Sequence, residues 1–163
     1  MMELPPVTAE LDVRLRLIAE SHQRLTGRPL TSPLPQAGEG LGERVMRDVL
    51  WRAPRVIVAH GTEADPVFFY GNRMALELFE LSFSEFTRLP SRYSAEPMER
   101  EERERLLHKV SQQGYVDDYR GVRVARSGRR FMIAAATVWN LLDAAGVCHG
   151  QAATFTDWRY IGG

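Results

Sequence analysis

The sequence contains little cysteine and no excess of either charge, and each absence excludes a class of protein. The single cysteine, Cys148, excludes an intramolecular disulfide and any zinc or iron–sulfur site built from several cysteines, and it fits a reducing compartment. Lys plus Arg and Asp plus Glu number 21 each, which argues against a nucleic-acid-binding surface because such surfaces carry a basic excess. We therefore expect no nucleic-acid partner.

Long apolar runs are also missing. The longest, residues 131–139, is much shorter than the roughly 18 residues of a membrane span, and the N-terminus lacks the basic-then-apolar pattern of a secretion signal. We therefore expect a cytoplasmic protein with no membrane partner. The 163 residues, 44% of them hydrophobic, still suffice for one domain with a core, because a chain of this length buries about 68–70% of its unfolded surface.

Residues 1–54 are predicted to form an N-terminal helical extension. Between residues 8 and 25, Leu11, Leu15 and Ile18 recur at spacings of four and three, as one stripe of a helix does, and Thr8 is suited to cap its start. Residues 27–42 contain three prolines and four glycines and are predicted to be a linker. A second helix is predicted over residues 43–52.

Residues 55–158 are predicted to form an α+β domain, and residues 159–163 a tail. The β-branched and aromatic runs predict a five-stranded antiparallel sheet with strands at 55–60, 67–70, 115–126, 129–142 and 147–158. Helices are inserted after the second strand: one capped by Asn72, one capped by Ser82, and a charged helix over residues 98–113. In the charged helix, Leu106, Leu107 and Val110 are predicted to face the core, whereas Arg103 is predicted to pair with Glu99.

The strand at 129–142 has apolar residues on both of its faces. Phe131, Ile133 and Trp139 alternate with Met132 and Val138, so both faces of the sheet must be covered. The inserted helices can cover only one face. We predict that the helix over residues 8–25, or the same helix from a second copy of the protein, covers the other, and we expect a homodimer.

Four segments together resemble the MEKHLA family, a PAS-like group found as short stand-alone bacterial proteins and at the C-terminus of some plant homeodomain–leucine zipper proteins. They are HGTEADPVFFYGNRMALELFE, LPSRYSAEP, DDYRGVRVARSGRRF and ATVWNLLDAAGVCHGQAATFTDW. The asparagine-led helix after the second strand, the Ser-x-x-Glu turn and the last strand ending in Asp are similar to those of PAS domains. The resemblance covers most of residues 10–158, although the six-letter motif that names the family is absent. It implies a PAS-like fold and a sensory or ligand-binding role, without a known ligand or reaction.

The resemblance also places any cofactor between the inner face of the sheet and the inserted helices. Flavin photosensors of the family carry a reactive cysteine in the region that corresponds to residues 90–97, which has none here. Cys148 lies on the last strand, where we expect it to be a small buried apolar residue. Asn140 and Gln151 lie where flavin-binding relatives place amides, which leaves two alternatives: a non-covalent flavin or other heteroaromatic ligand, or two structural amides.

Two histidines are candidate metal ligands. Haem-binding PAS domains use a histidine of the long helix, where His108 is a weak candidate, although a helix histidine among charges usually faces solvent. His60, Glu63 and Asp65 lie on one turn, where bonding to loop backbone is the favoured alternative to a metal site.

Five arginines lie between residues 120 and 130, at a predicted hairpin tip. They could bind an anion through their guanidinium forks, or they could be solvated and neutralised by nearby acidic residues. Arginines and tyrosines from the two elements that flank a PAS cleft favour a pocket for an anionic aromatic or acyl ligand. The candidate cleft residues are Arg92, Tyr93, Tyr119, Arg123, Trp139, Asn140 and Gln151.

These patterns favour a non-catalytic sensory module that holds a small molecule and passes its signal to a separate effector protein. The competing hypothesis is a protein-interaction module whose interior is filled by its own side chains and which acts by dimerisation. No spacing of nucleophile, acid and base supports an enzyme.

Overall fold

The computed structural model describes residues 2–31, 40–95 and 97–162. Helices and strands follow one another in the predicted order, with two helices, two strands, three further helices and then the remaining strands. The helices are α1 (Ala9–Thr26), α2 (Gly40–Arg52), α3 (Arg73–Phe79), α4 (Phe83–Phe86) and α5 (Pro97–Gln113), with a 3₁₀ turn at Ser91–Ser94. The strands are β1 (Val56–His60), β2 (Phe68–Gly71), β3 (Tyr115–Val124), β4 (Arg130–Leu142), β5 (Cys148–Phe155) and β6 (Asp157–Ile161).

The linker predicted over residues 27–42 falls partly outside the described residues, and α2 begins at Gly40, three residues before the predicted start. The 3₁₀ turn at Ser91–Ser94 lies in the segment 90–97, of which residue 96 is not among those described.

The strands form one antiparallel sheet in the order β2-β1-β5-β4-β3, and β6 pairs with β4 as a sixth strand. The last predicted strand is divided because β4 changes partner along its length: its first half pairs with β6 and its second half with β5. The change falls at Ala135, a non-glycine residue with a φ of 52°. Residues 159–161, predicted to belong to a tail, therefore lie in the sheet.

The predicted caps are present. Thr8 Oγ1 accepts a 3.1 Å hydrogen bond from the Leu11 amide, and Ser82 forms a reciprocal capping box with Glu85. Asn72 caps α3. Its fully buried amide also donates hydrogen bonds to the carbonyls of Leu50 and Arg55. One side chain thus connects α2, β1 and α3.

Helices cover both faces of the sheet, as the two-sided apolar pattern of β4 predicts. The inner face carries α5 and the inserted helices, whereas the chain's own α1 lies on the outer face. There the Trp139 indole N–H donates to the Ile18 carbonyl at 3.2 Å, and Ser21 exchanges two hydrogen bonds with the Leu142 backbone. Because α1 is long and half apolar, it buries a sheet face that would otherwise expose a tryptophan.

Cys148 differs from the expectation for a lone cysteine. It begins β5 at the edge of the last hairpin and is exposed rather than buried. In the ranges that the structure describes, no helix is long and apolar enough to cross a membrane.

Candidate functional site

A cavity of about 60 Å³ lies between the inner face of the sheet and the layer formed by the 3₁₀ turn and α5. Its walls are mostly apolar, with Val58, Val138 and Ala153 side by side on three adjacent strands. Polar groups enter it from the sheet and from the helical layer. These are His60, Ser91, Ser94, Arg103, Tyr119, Arg123 and Gln151.

Arg103 is the most unusual of these residues. It is only 7% exposed, and its guanidinium donates to the Ser91 hydroxyl. Among the residues that the structure describes, no carboxylate forms an ion pair with it. Burial, together with the neighbouring charge of Arg123, lowers the pKa of Arg103 to about 10. Arg103 thus places a positive charge in the interior without an ion-pair partner among the described residues.

Tyr119 and Arg123 approach the cavity from β3. The Arg123 guanidinium lies over the Tyr119 ring, 5.2 Å from its centroid, and donates to the Val122 carbonyl. Tyr119 is 9% exposed, and its buried hydroxyl has no hydrogen-bond partner in the structure. Gly121 makes this position possible, because a Cβ there would collide with the Tyr119 hydroxyl.

His60 contributes a second unpartnered atom. Its Nδ1 lies 2.9 Å from the Gly61 carbonyl, which assigns the proton to Nδ1 and leaves Nε2 as an acceptor. Nε2 is buried and has no hydrogen-bond partner among the residues that the structure describes. Burial lowers the pKa of His60, so the imidazole is neutral at pH 7.

Glu63 and Asp65, the other candidate metal ligands on the turn that follows His60, form hydrogen bonds within the protein. Glu63 accepts from the Val67 amide, and Asp65 accepts from Arg92. The part of the chain that the structure describes contains no group of three ligating side chains suited to a metal ion.

Asn140 and Gln151 form hydrogen bonds to the protein at the end of the cavity nearest the C-terminus of α5. Gln151 Nε2 donates to Asn140 Oδ1 at 3.0 Å and to the Leu107 carbonyl at 3.2 Å. Asn140 Nδ2 donates to the Val110 carbonyl at 2.9 Å. These bonds from side chains of β4 and β5 to carbonyls of α5 fasten the helix to the sheet.

A flavin does not fit this arrangement. The amides that would meet its ring are bonded to α5, and the cavity is a small fraction of the roughly 300–1,000 Å³ of sites for cofactor-sized ligands. A tricyclic ring would need α5 to move away from the sheet and break those hydrogen bonds.

Four of the residues proposed from the sequence lie elsewhere. Arg92 pairs with Asp65 and lies over the ring of Tyr93, outside the cavity. Trp139 is on the outer face under α1, because adjacent residues of a strand face opposite ways. His108 is on the exposed side of α5, 3.3 Å from Gln112. Of the proposed cleft residues, Tyr119, Arg123 and Gln151 line the cavity. Asn140 is the cross-strand partner of Gln151 and is hydrogen-bonded to it.

Arg103 was not predicted to line the cavity, although its spacing from the inward leucines of the helix indicates this position. Residues 103, 106, 107 and 110 lie at helical spacing, so Arg103 belongs to the same inward stripe as Leu106, Leu107 and Val110. The sequence pattern had paired Arg103 with Glu99, whose side chain lies outside the described residues. His60 and Ser91 carried no such signal, because only the packing of β1 against the 3₁₀ turn brings them to the cavity.

Comparison with known proteins is consistent with this architecture. The model of the MEKHLA domain matches residues 13–160. The homeobox-leucine zipper protein HOX9 of rice, Oryza sativa, is 27% identical over 146 residues, which are 90% of this chain and 17% of that protein. ATHB-9 of Arabidopsis thaliana is 25% identical over 158 residues, or 96% of this chain and 18% of that protein. The chain thus spans less than a fifth of the length of these relatives.

Solved structures share the fold. A PAS domain from Colwellia psychrerythraea has a TM-score of 0.61 at 14% identity, over 76% of this chain and 98% of that one. A light-oxygen-voltage domain, from work with a flavin analogue, has a TM-score of 0.57 at 15% identity, over 72% and 85% of the two chains. The predicted PAS-like α+β class is confirmed.

Proposed function

This chain belongs to the MEKHLA domain family, and from that premise we propose that it is a non-catalytic, PAS-like sensory module. In this proposal it binds a small molecule in the cavity between the sheet and α5. The ligand would touch α5 and the 3₁₀ turn on one side and β3 on the other. Its presence would therefore change how firmly α5 is held, and a separate effector protein would sense that change.

The observation that carries the proposal is a pair of unpartnered buried atoms at one cavity. The Tyr119 hydroxyl and His60 Nε2 both lack hydrogen-bond partners. Each such group costs about 1–3 kcal/mol of folding free energy, and native interiors contain few of them. Two at the same cavity are what a binding site for a polar molecule requires. A site designed only for packing would have apolar side chains there.

The second candidate function is a protein-interaction module without a ligand. The small volume of the cavity and the two amide contacts that hold α5 against the sheet favour it. In that case homodimerisation or partner binding would use an outer surface, such as the side of α1 on which Val13 is 68% exposed. A ligand is the better account because this alternative leaves the two unpartnered atoms unexplained.

The two candidates can be separated by thermal unfolding of the full chain with a panel of small acids, alcohols and amides and with flavin and haem. A ligand should raise the melting temperature of the natural protein but not that of Ala153→Leu, whose larger side chain fills the cavity. Ala144→Leu, in an exposed loop, is the matched control and should respond like the natural protein. No response to any compound, with Ala153→Leu more stable than the natural protein, would favour the interaction module.

A further inference from the structure

The charge around the cavity is one-sided. Arg103 and Arg123 both line it, and none of its described lining residues is acidic. Arg103 is buried, and among the described residues its hydrogen-bond partner is neutral, the Ser91 hydroxyl. A buried guanidinium is stable when an anion with two acceptor oxygens meets its planar donors. The electrostatics therefore call for a ligand that carries one negative charge.

The hydrogen-bonding groups call for something more than a charge. Because Nδ1 of His60 is bonded to the Gly61 carbonyl, the unpartnered Nε2 can only accept. A simple carboxylate has no proton to donate to it. A ligand that pairs with Arg103 and also donates to His60 Nε2 must combine an anionic group with a hydroxyl. The Tyr119 hydroxyl can donate to the anionic group or accept from the ligand hydroxyl.

The volume limits the size of this ligand. A water-sized group needs about 10–15 Å³ of such volume, so the cavity of about 60 Å³ has room for roughly four to six non-hydrogen atoms. Glycolate, with five, and bicarbonate, with four, combine this size with a negative charge and a hydroxyl. Aromatic acids do not fit.

We propose that the cavity is a site for a very small hydroxyl-bearing carboxylate, with Arg103 holding the carboxylate, His60 Nε2 accepting from the hydroxyl, and Tyr119 bridging the two. Glycolate and bicarbonate share this chemistry. The inference rests on the proposed function and adds to it the class of ligand.

Isothermal titration of the full chain with single compounds tests the inference. Glycolate, bicarbonate, acetate and ethylene glycol differ in whether they carry the charge, the hydroxyl or both. Glycolate or bicarbonate should bind about tenfold or more tightly than acetate, which lacks the hydroxyl, and than ethylene glycol, which lacks the charge. The tighter of the first two identifies the source of the ligand.

Variants assign the contacts. Arg103→Met should weaken glycolate or bicarbonate binding more than tenfold, whereas Arg105→Gln, an exposed arginine on the same helix, should leave it unchanged. Tyr119→Phe removes only the hydroxyl and should weaken binding several-fold. If Arg103→Met does not fold, Tyr119→Phe still tests the contacts of the ligand.

Each remaining outcome has a distinct meaning. Equal binding of acetate and glycolate, or full affinity in Arg103→Met and Tyr119→Phe, would overturn the inference. Binding of a neutral compound that Ala153→Leu abolishes would also overturn it while leaving the proposed function standing. If none of these compounds and no member of the wider panel binds, both fail.

Discussion

Gln151 donates a 3.0 Å hydrogen bond to Asn140 across the β4–β5 ladder, where the two residues are direct antiparallel partners. Through this pair the sheet reaches the carbonyls of Leu107 and Val110 near the end of α5. In this protein the amides hold a helix in place. Because Arg103, Leu106 and Leu107 of α5 line the cavity, this pair helps to set the size of the cavity.

Asn140→Leu should therefore loosen α5. The substitution removes one of the two acceptors of the buried Gln151 amide and one bond to α5, which should lower the free energy of unfolding by about 1–3 kcal/mol. Hydrogen exchange should be faster at the Gly114 amide, which bonds to Val110. Gln112→Leu, an exposed change on the same helix, is the control. Unchanged exchange at Gly114 in Asn140→Leu would show that the amides do not fasten the helix.

Ile18→Ala should destabilise the protein by about 2–5 kcal/mol in urea unfolding. Ile18 is fully buried where α1 meets Trp139, so the truncation removes apolar contact and leaves a cavity under the helix. Val13→Ala, on the exposed side of the same helix, should change stability by less than about 0.5 kcal/mol. Similar small losses in both variants would mean that α1 does not cover the sheet in solution.

Gly150→Ala should be more damaging than the same change at Gly128. Gly150 has a φ of 137°, and a Cβ there would collide with the His60 carbonyl across the β1–β5 pairing, so we expect a loss of about 2–4 kcal/mol. Gly128 also has a positive φ but has open space around it, and we expect about 1 kcal/mol. Thermal unfolding of the two variants compares them directly. Equal losses of stability in the two variants would mean that the positive φ alone causes the loss and that the collision with the His60 carbonyl adds nothing.

Stability should fall in mild acid because of His22. Its ring is buried against Trp139 at a centroid distance of 4.8 Å, and burial, together with the charges of Arg55 and Arg28, lowers its pKa to about 4. The unfolded chain binds a proton near pH 6.5 and the folded chain does not. The stabilisation is therefore complete above pH 6.5 and is lost as the pH falls from 6.5 to about 4, by up to about 3 kcal/mol.

Urea unfolding of His22→Gln at pH 7 and pH 5 checks this dependence. The variant should lose much less stability between the two values than the natural protein. It should keep some dependence, because burial also lowers the pKa of His60. His108→Gln, at an exposed position, should behave like the natural protein. An undiminished loss in His22→Gln would contradict the assignment.

Much of the fold could be predicted because its signals are local. Thr8, Asn72 and Ser82 cap helices through side chains that reach only three residues along the chain, and the apolar period identifies α1 and α5. The division of the last strand at Thr156 could not be predicted in this way. It depends on a change of partner along β4, which is a property of the assembled sheet.

The cavity was predicted less well than the fold. Tyr119, Arg123 and Gln151 line the cavity, but Trp139 was assigned to the wrong face, and Arg103 was paired with Glu99, whose side chain lies outside the described residues. For Trp139 the pattern was uninformative, because β4 is apolar on both faces and gives no polar residue from which to assign inside and outside. For Arg103 a surface pair and an interior charge produce the same local sequence.

The sequence by itself determined the class of the protein: a neutral α+β chain with a two-sided apolar strand, PAS-like spacing and no metal or disulfide chemistry based on cysteine. Only the tertiary structure decided that α1 covers the outer face within the chain, that the amides hold α5, and that a buried charge and two unpartnered atoms meet in one small cavity. The physical reason is the range of the interactions. Caps and periods act within a few residues, whereas the cavity is formed by side chains from β1, β3, β5, the 3₁₀ turn and α5 that share no local pattern.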